Sequence, residues 1–136
     1  MDAIAVLVED HRAVNRAFLQ YEDLPVDACA DRREAVKEIQ RRLTGHYIAE
    51  RRFLHPVIAE AMPEGEEIVA EELRHQHELE GLLHDLSADG DTVHQLIRLV
   101  RARMEIEERG LFPLLRHLLE PAELDLLGER IATARA

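Results

Sequence analysis

Four long segments of this chain carry apolar residues at helical spacing, and three short breaks separate them; few folds accommodate that pattern. The first runs over about residues 2–22, with Asp2 as its cap and Ile4, Leu7, Val8, Val14, Phe18 and Tyr21 along one face. After "DLPVDACAD", a second spans about 31–61 with Val36, Ile39, Leu43, Tyr47, Phe53, Leu54, Val57 and Ala61 in phase. The turn "MPEG" at 62–65 leads to a third over about 66–87, carrying Val69, Leu73, Gln76, Glu80 and Leu83. The loop "SADGD" at 87–91, with Asp91 as a cap, opens a fourth that turns Val93, Ile97, Val100, Met104, Leu111 and Leu114 inward. A last segment, "EPAELDLLGERIA", predicts a short fifth helix packed across the end. Helices of this length joined by short loops bury their stripes best as an up-down-up-down four-helix bundle, so the expected fold is all-α.

Composition narrows the class. A chain of 136 residues suits one domain, expected over 1–136. With 17 Lys and Arg against 28 Asp and Glu, the net charge is −11, which repels a polyanion and argues against nucleic acid as a partner. "MDAIAVLVEDHRA" has no basic region ahead of its apolar residues, and no run is apolar for the length of a membrane span. The expectation is a cytoplasmic protein with no membrane partner. Cys29 is the one cysteine, so it has no internal disulfide partner and suggests no thiol chemistry.

Two stretches read alike: "HYIAERRFLHP" at 46–56 and "RMEIEERGLFP" at 103–113. Each places a Glu four residues after its first residue and a Pro six residues after that Glu. His46 and Glu50, and likewise Arg103 and Glu107, share the inner face of their helices, and His11 and His77 fall on or beside the stripes of theirs. By rise per residue all six lie near mid-helix. A buried carboxylate costs several kcal/mol unless it is paired, so about five acidic and imidazole groups at one depth call for a shared partner. A metal ion is the economical one, and nitrogen and oxygen donors without thiolate suit iron, manganese or zinc. Each residue has a plainer reading, an inward His as a hydrogen-bonded core residue and an inward Glu as one that tilts to solvent. Of the remaining histidines, His55 is expected half-buried at the bundle's end, His75 points away from His77, His84 is a surface or supporting group, and His94 and His117 are solvated.

"EDHRAV" around His11, "HYIAERRFLHP", "RHQHELEGLL" around His77 and "EIEERGLFPLL" together resemble the hemerythrin-like, or HHE cation-binding, family over nearly the whole chain. The resemblance implies a four-helix bundle holding two non-haem irons bridged by an oxygen species and two carboxylates, in proteins that bind dioxygen, sense oxygen or iron, or handle peroxide or nitric oxide. It maps His11, His46, Glu50, His77 and Glu107 to metal ligands, with Glu108 as the alternative used by some relatives. The chain departs from the family pattern at Arg103, where His is expected, at Arg51, often acidic, and at Leu73, where some members place His. Arg103 offers only donors and cannot ligate a cation; it is expected to supply a compensating positive charge beside Glu50 and Glu107.

These features lead to a non-haem iron-binding protein, for oxygen, redox or iron sensing or binding, with a site depleted to one ion or a weak pair. An iron-dependent enzyme acting on peroxide or dioxygen, and a metal-free helical interaction module, are the alternatives. A diatomic gas or peroxide is the expected small ligand; the sequence leaves open other divalent metals, the protein partner and homo-oligomerisation.

Overall fold

A computed structural model describes residues 1–86 and 90–135. The order is α1 (Ala3–Glu22), α2 (Cys29–Ala49), a π turn (Glu50–Leu54), α3 (His55–Ala61), α4 (Gly65–His84), α5 (Gly90–Ile106), a second π turn (Glu107–Leu111), α6 (Phe112–Leu118) and α7 (Pro121–Arg135). No strand occurs among the described residues. α1 packs on α2, α2 on α4, α4 on α5 and α5 on α1, which closes the four-membered bundle. The fifth helix is longer than expected, fifteen residues, and lies against α1, α2 and the first π turn. At Gly128 it passes so close to the backbone of Met1 and Ala3 that a Cβ would collide. The expected loop at 87–91 falls partly outside the described residues; α5 starts at Gly90, with Asp91 in its first turn.

Asp2 caps α1 as expected, its Oδ1 accepting from the Ala5 amide at 2.8 Å. The turn before α4 is tight. Glu64 takes a left-handed conformation, φ 59°, and a side chain at Gly65 would strike the Ile58 and Ala59 carbonyl oxygens.

Each π turn inserts an extra residue into a helix, and this corrects part of the expected core. The His55 amide bonds back to Glu50 O and the Phe112 amide to Glu107 O, five residues each. In both cases the next residue is a proline, Pro56 or Pro113, which lacks the amide an α-helix would use there and whose ring crowds the carbonyl four back. Beyond each turn the helix is rotated by about one residue, roughly 100°. Ile58 and Met62 are therefore buried where Val57 and Ala61 were expected, and Leu115 is buried while Leu114 is exposed.

Apolar side chains form two clusters. One gathers Val14, Phe18 and Tyr21 with Leu43, Tyr47, Leu83, Val100 and Met104; the other gathers Leu7, Leu54, Ile58, Phe112, Leu115 and Ile131. Between them the bundle buries Asp10, His11, His46, Glu50, Gln76 and Glu107.

Candidate metal centre

His46 is the hub of this buried layer. Its Nε2 lies 2.8 Å from Glu50 Oε1, one turn on, and its Nδ1 lies 3.3 Å from Asp10 Oδ2 on α1. His11 stands across from it at 5.2 Å between ring centroids and stacks on Phe112. His11 Nε2 faces Glu107 Oε1 at 3.6 Å, while its Nδ1 is 3.0 Å from Glu108 Oε2. From α4, Gln76 Nε2 donates a long hydrogen bond, 3.5 Å, to Glu50 Oε1. Each repeat's glutamate is thus met by the first helix of the other half, Glu107 by His11 and Glu50 by Gln76.

The electrostatics follow from burial and pairing. Burial alone lowers the His46 pKa, but the Glu50 carboxylate reverses that and the net direction is upward. Burial likewise works to raise Glu50, and the adjoining His46 prevails, holding it at about 2. Glu107 is pushed well above the ordinary carboxylate range by burial, then by the charges of Glu50 and Glu72. His11 is shifted down by burial and by His46. Within the layer, positive charge is thus favoured on His46 rather than His11, and negative charge on Glu50 rather than Glu107.

Several expected positions change. His77 is exposed and does not join the layer; Gln76, one residue earlier and in phase with the stripe, takes the inward place. His75, read as pointing away, borders the small cavity between α2, α4 and α5. Arg103 does not reach Glu50 or Glu107 with a hydrogen bond: its Nη2 donates to Glu72 Oε1 at 2.8 Å. Glu108 sits on the outer nitrogen of His11, its side chain 40% exposed, rather than inside the layer. His55 is buried, not half-buried, with neither ring nitrogen hydrogen-bonded, and burial lowers its pKa. His84, His94 and His117 are exposed as expected. Asp10, Gln76 and Glu72 were not singled out as functional; "EDH" placed Asp10 beside His11, and the α4 stripe already held Gln76.

Among the described residues, no three His, Cys, Asp or Glu side chains already close on one point as ligands, and His46 and Glu50 engage each other directly. Yet His11 Nε2, Glu50 Oε2 and Glu107 Oε2 are all buried without a hydrogen-bond partner, and all belong to this one layer. The Glu50 and Glu107 carboxyls can share one proton between them, but no other donor reaches these three atoms, and a cation would answer all of them at once. The donor set of two imidazoles and two carboxylates fits a non-haem metal.

A cavity with about 20 Å³ of room, enough for one water, opens beside Glu50 and Glu107 toward Glu72, Gln76 and Arg103. Among the described residues no helix is long and apolar enough to cross a membrane. The family model for the hemerythrin HHE cation binding domain matches residues 2–115. No curated protein and no solved structure matches the chain.

Proposed function

Because the chain belongs to the hemerythrin HHE cation-binding domain family, we propose that it binds one divalent non-haem metal ion, iron in its working form, through His11, His46, Glu50 and Glu107. The observation that carries this reading is the set of buried atoms on His11, Glu50 and Glu107 that no donor reaches apart from a proton shared between the two carboxyls. Charge supports it too. Burial and the neighbouring carboxylate Glu50 disfavour a second negative charge on Glu107, and a dication between the two would compensate both. On losing its proton, His46 would offer Nε2 to such an ion in place of Glu50.

One ion rather than two follows from the other half of the repeat. Where the first half offers His11 and His46, the second offers the amide of Gln76 and the guanidinium of Arg103, the latter tied to Glu72. A fixed cation there repels a second ion and supplies positive charge toward the shared carboxylates. When bound, iron would supply a redox-active centre able to take a small ligand such as dioxygen or peroxide, which suits oxygen, redox or iron sensing.

Elemental analysis of protein purified without chelator, with anaerobic Fe²⁺ titration, tests the proposal. One tightly held ion per chain, lost in His46→Ala, is expected. Two irons per chain would overturn the single-site reading. No uptake, with thermal stability indifferent to Fe²⁺ and to chelator, would overturn the metal reading altogether.

A further inference from the structure

We propose that Asp10 and Glu108 are positioning residues that hold Nδ1 of the two site histidines, so that Nε2 of each ring faces the buried layer. This inference rests on the cation-site reading above. An ionised carboxylate can only accept, so the ring nitrogen facing it must carry the proton. His11 Nδ1 lies 3.0 Å from Glu108 Oε2, and His46 Nδ1 lies 3.3 Å from Asp10 Oδ2. In each ring the nitrogen left over is Nε2. For His11 it is buried and unpartnered; for His46 it lies against Glu50. A carboxylate on the distal nitrogen of a ligating imidazole orients the ring and raises its basicity, and losing it typically weakens metal binding 10–100-fold.

The wiring crosses between helices. Asp10 adjoins His11 in sequence yet serves His46 on α2; Glu108 adjoins Glu107 yet serves His11 on α1. Ring orientation is thus set by the packing of α1 against α2 and against the second π turn. The two supports also differ in exposure. The Asp10 side chain is 7% exposed, while that of Glu108 is 40% exposed and lines a groove between α1 and α5 with Arg12, Asn15 and Arg101. His46 therefore has the more buried support and His11 the more exposed one.

Long-range ¹H–¹⁵N correlation spectra of the metal-free full chain read the His11 tautomer directly, and Co²⁺ titration followed by its visible spectrum reads affinity. In the unaltered protein His11 should carry its proton on Nδ1. Glu108→Ala should move population to the Nε2–H form, whereas Glu108→Gln, which keeps an acceptor oxygen, should retain most of the Nδ1–H form. Glu108→Ala and Asp10→Ala should each weaken Co²⁺ binding 10–100-fold, with Glu105→Gln, an exposed acid on the same helix, unchanged. A His11 tautomer indifferent to Glu108→Ala, or Co²⁺ affinity within about twofold in both Ala variants, would overturn the assignment. If Asp10→Ala fails to fold, Asp10→Asn carries the affinity test for that position. Failure of the unaltered chain to take up Co²⁺ at all would overturn the cation site and this inference's role in ligation, while the tautomer spectra would still decide whether Glu108 orients His11.

Discussion

Arg103 and Glu72 form an ion pair, Nη2 to Oε1 at 2.8 Å, on the wall of the small cavity beside Glu50 and Glu107. The guanidinium is held by a carboxylate from α4 and acts on the two central glutamates through space. Glu72 still has its pKa raised, because burial outweighs the Arg103 charge. The two partners should therefore be unequal under mutation. Arg103→Leu leaves Glu72 and the site carboxylates facing one another without compensation, and should cost about 3 kcal/mol of metal-free stability. Glu72→Gln removes a charge that burial already disfavours, and should cost on the order of 1 kcal/mol. The double variant Arg103→Leu with Glu72→Gln should recover part of the larger loss, because the buried carboxylate goes with its partner. Urea unfolding of the four proteins measures this, and equal losses from the two single variants would contradict it.

The π turns explain which parts of the core were legible in the sequence. Helical period placed the stripes of α1, α2 and α5 correctly up to Glu50 and Glu107, because nothing interrupts the ladder there. Beyond those residues the inward set slips by one, and no count at 100° per residue anticipates an inserted residue. The Pro six residues after each Glu was visible, but a proline inside a helical pattern reads as readily as a kink or an end. Mutations measure the slip directly. Leu115→Ala, at a fully buried position, should cost about 2–5 kcal/mol, whereas Leu114→Ala, 43% exposed, should cost less than about 1 kcal/mol. Similar losses at the two positions would place the α6 face elsewhere.

For the candidate site, the sequence carried the residues on regular helix and missed those whose role depends on which helix comes opposite. His11, His46, Glu50 and Glu107 meet in one layer because their depth and phase could be counted. His77 stood one position from the stripe, and an offset of 100° is the difference between solvent and core. Arg103's partner could not be read at all, since Glu72 faces it from another helix thirty-one residues away in sequence.

Asp2 ties the start of the family-matched region to the residue just past its end. It caps α1 and accepts from Arg116 on α6, with Nη1 to Oδ2 at 2.6 Å. The Arg116 hydrogen bond, with help from the α1 amides, lowers the Asp2 pKa below its ordinary value of 3.8. A carboxylate with a depressed folded pKa stabilises the fold above its unfolded value, and that contribution fades as pH falls through the folded one. Asp2→Asn, which keeps a capping oxygen and loses the charge, should therefore lower the melting temperature slightly at pH 7 and converge with the unaltered protein as pH falls through the depressed folded pKa. Asp2→Ala should cost about 1 kcal/mol from the lost cap. A difference between Asp2→Asn and the unaltered chain that persists undiminished into acid would refute the pairing.

The final prediction turns the asymmetry of the repeat into a gain of function. Glu50 and Glu107 face both halves of the bundle, but only the first half brings an imidazole within ion-pair distance of them; Gln76 and Arg103 hold the matching places in the second. If those two residues are what keeps a second cation away, replacing both should admit one. Gln76→His supplies a nitrogen donor from a buried position, and Arg103→His exchanges a permanent positive charge for a neutral ligand while leaving Glu72 beside it as a further oxygen donor. The double variant should bind about two divalent ions per chain, with Co²⁺ stoichiometry as the readout. Arg103→His alone should bind a second ion only weakly, because Gln76 still offers a neutral amide. Gln76→His alone should not, because the guanidinium remains. A double variant that still saturates at one ion would show that the second half lacks the geometry of a cation site, and that charge at Arg103 is not what sets the stoichiometry.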